Sequence, residues 1–143
     1  MIVQPYSELS DRDLLALCVW RESDDQSVGC MAAVAHVVKN RVEKPCWWGV
    51  DYHSVILKPW QFSCFNHGDP NESRWPADNN LQWIEALHIA DAVAVNNTDP
   101  DNTDGATTYY DVSIDPPDWT GGMIFTVQFD RIRFYKPPMA ISA

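Results

Sequence analysis

The chain has 143 residues, 45% of them apolar, and its 20 acidic against 10 basic residues leave a net charge of −10. That is the length of one ordinary domain, read here as 1–143, and the charge excludes a nucleic-acid binder, which needs a basic surface against phosphates. The charge also disfavours anionic lipid surfaces, and no apolar run approaches the ~20 residues that cross a bilayer, so no membrane insertion is expected.

Met1 to Ser10 shows no basic stretch followed by an apolar one, so no secretory signal is read there. Ser10, with Asp13 three residues on, predicts a helix N-cap with an acidic first turn, and the helix runs from about Asp11 to Glu22. Its apolar residues, Leu14 to Trp20, occupy nearly every azimuth, which predicts a helix buried at the centre of the domain. Glu22 follows Cys18 by four and Val19 by three, on that apolar face. A second helix spans about Val28 to Glu43, with Val28, Met31, Ala32, Ala35, Val38 and Val42 on one stripe. Lys39, Arg41 and Lys44 suit its negative end, and Pro45 stops it.

Residues 46–78 are rich in Trp, Pro, Gly, Asn and Asp. A short helix around His53 to Lys58 is expected there, and the rest reads as a long loop of the kind that often carries function. A third long helix spans about Leu81 to Val95, with Trp83, Leu87, Ala90 and Ala94 forming its stripe. Asn96 to Gly105 is a polar, acidic loop. Thr107 to Asp111, Ile124 to Gln128 and Arg131 to Tyr135 read as strands, the last two as a hairpin around Phe129 and Asp130. Helices first and a small sheet last predict a mainly helical α+β domain.

Glu22 is the candidate acid. The helix C-terminus carries partial negative charge, the apolar face desolvates the carboxyl, and Asp24 and Asp25 add like-charge repulsion. All three raise its pKa, as a general acid requires. The pattern alone also allows a Glu on a solvated last turn, or one paired with Arg21 or Arg41. The aromatics outside the long helices, Trp47, Trp48, Trp60, Trp75, Tyr109, Tyr110 and Trp119, fit either a sugar-stacking groove or a cover for the core.

Cys18, Cys30, Cys46 and Cys64 form no CxxC pair, and no His stands at zinc-ligand spacing from a pair of them. Cys18 and Cys30 read as buried thiols. Cys46 and Cys64 flank a loop-rich segment and stay open between free thiols and a bridge. Asp99, Asp101 and Asp104 with Gly105 are out of register for a calcium loop and read as a solvated acidic stretch. No Gly-x-Ser-x-Gly elbow, His-Glu-x-x-His or Gly-rich phosphate loop occurs. No metal or cofactor is expected.

Several segments, in order, resemble a known family. Trp20-Arg21-Glu22-Ser23 and then Gly29 to Val42, with its Ala-Val-Ala-His-Val-Val-Lys-Asn-Arg-Val run, are similar to the cell-wall hydrolase family that includes spore-cortex-lytic enzyme catalytic domains. The likeness continues at Val55-Ile56, Gln61-Phe62-Ser63, Gly105 to Tyr109, Pro117-Asp118-Trp119 and Arg133 to Lys136. It covers about residues 13 to 136. The chain departs from the family around Glu22, where Arg21-Glu22-Ser23-Asp24-Asp25-Gln26 replaces a Gly-Glu-Ala-Arg-Gly-Glu context, and at Thr108 and Asp130-Arg131-Ile132.

The resemblance implies a lysozyme-like fold and cleavage of bacterial peptidoglycan between N-acetylmuramic acid and N-acetylglucosamine. Glu22 takes the place of the catalytic acid. Asn40, Gln61, Phe62, Ser63, Tyr109 and Trp119 fall on motif positions that shape or support a glycan groove, and Tyr110 is grouped with them as substrate-binding. A lytic transglycosylase would need only Glu22, whereas a muramidase usually uses a second carboxylate, for which Asp111 and Asp115 are candidates. The other readings are a glycan-binding module without catalysis and an amidase using Cys64. The chain is expected to act as a monomer on the cell wall, released as a phage-type endolysin or exported otherwise.

Overall fold

Four α-helices and a three-stranded sheet succeed one another in the computed structural model, which describes residues 1–138; residues 139–143 of the span read as 1–143 lie outside the described residues. Helix α1 (Asp11–Ser23) begins where Ser10 Oγ accepts from the Asp13 amide at 3.1 Å, as its sequence predicts. Leu14 to Trp20 are all buried, because α2, α3 and α4 pack around α1.

Helix α2 (Val28–Glu43) starts at a second serine cap, Ser27, whose own amide donates to Asp130 Oδ2 at 2.8 Å. The hairpin turn therefore docks on the start of α2. The single apolar stripe expected of this helix needs correction. Val28 is exposed, Ala32 and Val42 are half-buried, and Ala33, Val34 and Val37 are buried as well. The helix contacts α1, α3 and α4, so most of its circumference is covered.

Helix α3 (Tyr52–Leu57) starts one residue earlier than expected, because Asp51 and Ser54 form a reciprocal capping box. Short 3₁₀ turns at Ser63–Phe65 and Pro70–Ser73 are the regular pieces of the long loop that follows. Helix α4 (Leu81–Ala90) does not run unbroken to Val95: Asp91–Val95 widens into a π turn, closed by Asn96 N to Asp91 O at 2.7 Å.

The sheet orders its strands β1-β3-β2, all antiparallel neighbours: β1 (Thr108–Asp111), β2 (Ile124–Phe129) and β3 (Ile132–Lys136). Thr107 and Arg131 fall just outside the strands, although the Thr107 amide still donates to Tyr135 O at 2.9 Å. A bulge at Thr126 interrupts the β2–β3 register. Phe134 of β3 is fully buried and joins the sheet to the helical core. The α+β class, with helices first and the sheet last, is as the sequence predicts.

Gly49 decides whether the aromatic segment before α3 can form. Its φ is +136°, and a Cβ there would lie 2.8 Å from both Ser54 Oγ and the Val55 amide nitrogen. Gly49→Ala is predicted to destabilise the protein by about 2–4 kcal/mol, measured by urea unfolding.

Candidate active site

A cleft of about 600 Å³ opens between the helices and the sheet, within the range of ordinary ligand sites. Glu22 enters it from the last turn of α1 and Arg41 from the last turn of α2. The segment before and after α3 contributes Trp47, Trp48, Trp60 and the run Gln61-Phe62-Ser63. Tyr109 comes from β1, and Trp119 from the 3₁₀ turn at Asp118–Gly122.

Glu22 is half-buried, and loss of water raises its pKa from the ordinary 4.5 to about 7. Two donors pull the other way. The Cys64 thiol lies 3.5 Å from Glu22 Oε1, and the Tyr109 phenol is within hydrogen-bonding reach. Asp69 adds a small repulsive push. Asp24 and Asp25, expected to repel Glu22, are engaged elsewhere: Arg74 Nη2 holds Asp24 Oδ2 at 2.6 Å, and Arg131 Nη2 stands 3.6 Å from Asp25 Oδ2.

Neither arginine considered as an ion-pair partner takes that role. Arg21 is 3% exposed, and its guanidinium is occupied by other partners. It donates to the carbonyls of Arg74, Glu72 and Cys64 at 2.9, 3.0 and 3.2 Å and to the Tyr6 hydroxyl at 2.9 Å, among the rings of Tyr6, Phe65 and Trp75. The bond to the Cys64 carbonyl fixes the residue whose thiol meets Glu22. Arg41 donates through Nε to Thr107 O at 2.7 Å and through Nη1 to Gln61 Oε1 at 3.2 Å, and packs on Trp48 and Phe62. Burial lowers its pKa, as it must for a cation taken from water.

The structure thus brings Gln61, Phe62, Ser63, Tyr109 and Trp119 to the cleft with Glu22. Two expected residues do not line it. Asn40 faces the 101–106 turn, donating to Asp101 Oδ2 at 3.0 Å and Ala106 O at 2.9 Å, and so braces the approach to β1. Tyr110 packs against Tyr135 and Trp119, outside the cleft lining. The suggested second carboxylates are also elsewhere. Asp111 accepts from the Ser113 amide at 2.8 Å and faces Arg131, and Asp115 is exposed. Among the described residues, Glu22 is the one acid lining the cleft.

The cysteines are free. Cys46 is exposed and Cys64 is 2% exposed, so the bridge left open between them is not formed. A hydrogen bond with the Cys18 thiol, burial and the nearby Glu22 raise the Cys64 pKa, which keeps it a thiol rather than a nucleophilic thiolate. His67 is exposed, and no hydrogen bond joins it to Cys64 among the described residues. The acidic loop is tied up internally: Asp99 meets His36 at 2.7 Å, Asp101 accepts from Thr103 and Gly105, and Asp104 meets Lys136 at 2.9 Å. Sequence reasoning missed the approach of Cys64 to Glu22 and the place of Arg41 in the cleft. The second had a signal, since Arg41 follows Val38 by three and Val37 by four on a buried face.

The family model described as Cell Wall Hydrolase matches residues 25–135, and the chain belongs to that family. Its fold is similar to the catalytic domain of the germination-specific lytic transglycosylase SleB from Bacillus anthracis, at 23% identity and a TM-score of 0.68 over 93% of this chain and 100% of that one. It is likewise similar to the catalytic domain of the Bacillus cereus SleB protein, at 25% identity and a TM-score of 0.67 over 88% and 89% of the two chains. No curated protein matches the chain. The family match begins just after Glu22, so the case for that residue rests on its geometry.

A carboxyl with this pKa costs folding stability where the unfolded chain would ionise it. Between pH 4.5 and about 7 the folded protein keeps a proton that the unfolded chain has lost, so stability falls as pH rises through that window and then levels. Glu22→Gln removes this penalty. The variant is expected to match wild type near pH 4 and to exceed it by roughly 1–3 kcal/mol at pH 8, measured by denaturant unfolding at both pH values.

Proposed function

We propose that the protein is a lytic transglycosylase that cleaves the β-1,4 bond between N-acetylmuramic acid and N-acetylglucosamine in peptidoglycan. The observation that carries this reading is a cleft lined, among the described residues, by one carboxyl, whose pKa burial raises to about 7. Hydrolysing glycosidases use two carboxyl groups, one as acid and the other as nucleophile or as base for water. A transglycosylase does without the second, because the substrate supplies its own nucleophile. Likeness to a SleB catalytic domain described as a lytic transglycosylase supports the same choice.

In this mechanism protonated Glu22 gives its proton to the glycosidic oxygen as the C1–O bond breaks, and positive charge develops at C1 of the muramic ring. Glu22, now a carboxylate, takes the proton from the C6 hydroxyl of that ring. The C6 oxygen closes on C1 to form the 1,6-anhydro product, and Glu22 is again protonated. The Cys64 and Tyr109 donors stabilise the carboxylate stage. Gln61, Phe62, Ser63 and Trp119 shape the groove, and Arg41 holds Gln61 in position.

Digestion of purified peptidoglycan, followed by mass spectrometry, is expected to give 1,6-anhydromuramic ends; reducing muramic ends would establish hydrolysis instead. Glu22→Gln should lower turnover by about 10²–10⁴-fold. Equal solubilisation by wild type and variant would remove Glu22 from the mechanism. Because the first step needs the acid form, kcat/KM should fall above about pH 7.

A further inference from the structure

Of the seven Trp residues in the chain, six are accounted for by packing. Trp83 is in the core, Trp20 lies under Arg74, Trp48 under Arg41 with Trp47 against it, Trp75 stacks on Tyr6, and Trp119 meets Tyr110 and Tyr135. Trp60 is the exception. It is 83% exposed, and among the described residues it pairs with no other ring and no cation, yet it lines the cleft that holds Glu22.

Its backbone is held against preference. Gln61 N bonds Lys58 O at 3.2 Å, which closes a four-residue turn with Pro59 and Trp60 at its centre. Trp60 has φ +69°, the left-handed value that a type II turn demands at its third position and that glycine or asparagine normally supplies. Asn66 Oδ1 accepts from the Trp60 amide at 3.1 Å and pins the turn. A bulky residue in this conformation that gains no packing from it is an outlier of the kind that clusters at ligand sites.

We infer that Trp60 is a sugar-stacking platform at the rim of the cleft, taking the apolar face of an N-acetylhexosamine ring of the glycan strand beyond the cleaved bond. The inference rests on the proposed action on peptidoglycan. An indole face offers a flat apolar surface to the C–H face of a pyranose, and its edge N–H can meet a ring substituent. The turn leaves that indole 83% exposed at the cleft. The following residues, Gln61 to Ser63, line the cleft directly, so one turn sets both the platform and the groove floor.

The test uses the full chain on soluble glycan strands from which stem peptides have been removed. Trp60→Gly is expected to raise KM about 3- to 10-fold with kcat within about twofold. Its melting temperature should be unchanged or higher, since glycine suits φ +69°. Trp60→Tyr should recover most of the affinity. An unchanged KM in Trp60→Gly, or a weaker KM accompanied by a fall in melting temperature, overturns the platform. Failure of the wild type itself to cleave the strands overturns the functional reading and this inference together, which separates the two failures.

Discussion

Arg21 and Glu22 are neighbours at the end of the most deeply buried helix, and they meet the loss of water in opposite ways. Consecutive helix residues do not face each other, so the cation and the acid leave α1 on different sides. Arg21 keeps its charge because three carbonyls, one hydroxyl and three aromatic rings replace its water. Glu22 has no cation to pair with and keeps its proton instead. Had the two paired, the carboxyl would be held low and could not donate a proton at neutral pH. The same arginine also draws the 64–74 loop over the helix end, so Cys64 meets Glu22 because Arg21 holds the Cys64 backbone.

The site also separates local electrostatics from those of the whole chain. Net charge is −10, yet among the described residues the charged groups lining the cleft are Glu22, whose pKa is raised to about 7, and the buried Arg41. The acids of the 99–104 loop are spent within the fold, on His36, Asn40, Thr103 and Lys136.

What was legible in the sequence follows from how local each signal is. Ser10 marked the start of α1 because a cap needs only its own turn, whereas the equivalent cap at Ser27 was not read. The hairpin around Asp130 was visible in strand alternation. The all-round burial of α1 was readable, but that of α2 was understated, because small residues such as Ala33 look neutral until α1, α3 and α4 close around them. The π turn at Asp91–Val95 leaves no mark on a pattern read at 3.6 residues per turn. Glu22 was singled out by its apolar context together with the resemblance, and Gln61, Phe62, Ser63, Tyr109 and Trp119 by the resemblance. Tyr110 was grouped with Tyr109, whereas the structure sets it against Tyr135 and Trp119, beside the cleft rather than in its lining. Asn40 was read as shaping or supporting the groove, and its hydrogen bonds to the 101–106 turn are those of a support. The meeting of Cys64 with Glu22 depends on a loop path that no local pattern encodes.

The central claim is that burial in the cleft lets the Glu22 carboxyl of the free protein hold its proton far above the ordinary carboxylate range, up to about pH 7. Carbon-13 NMR of side-chain carboxyls, with Glu22→Gln used to assign the resonance, measures this directly. The account predicts a titration midpoint for Glu22 near pH 7. A midpoint near the ordinary 4.5 would mean that the carboxyl is solvated or paired, and the acid-donating site described above would not exist.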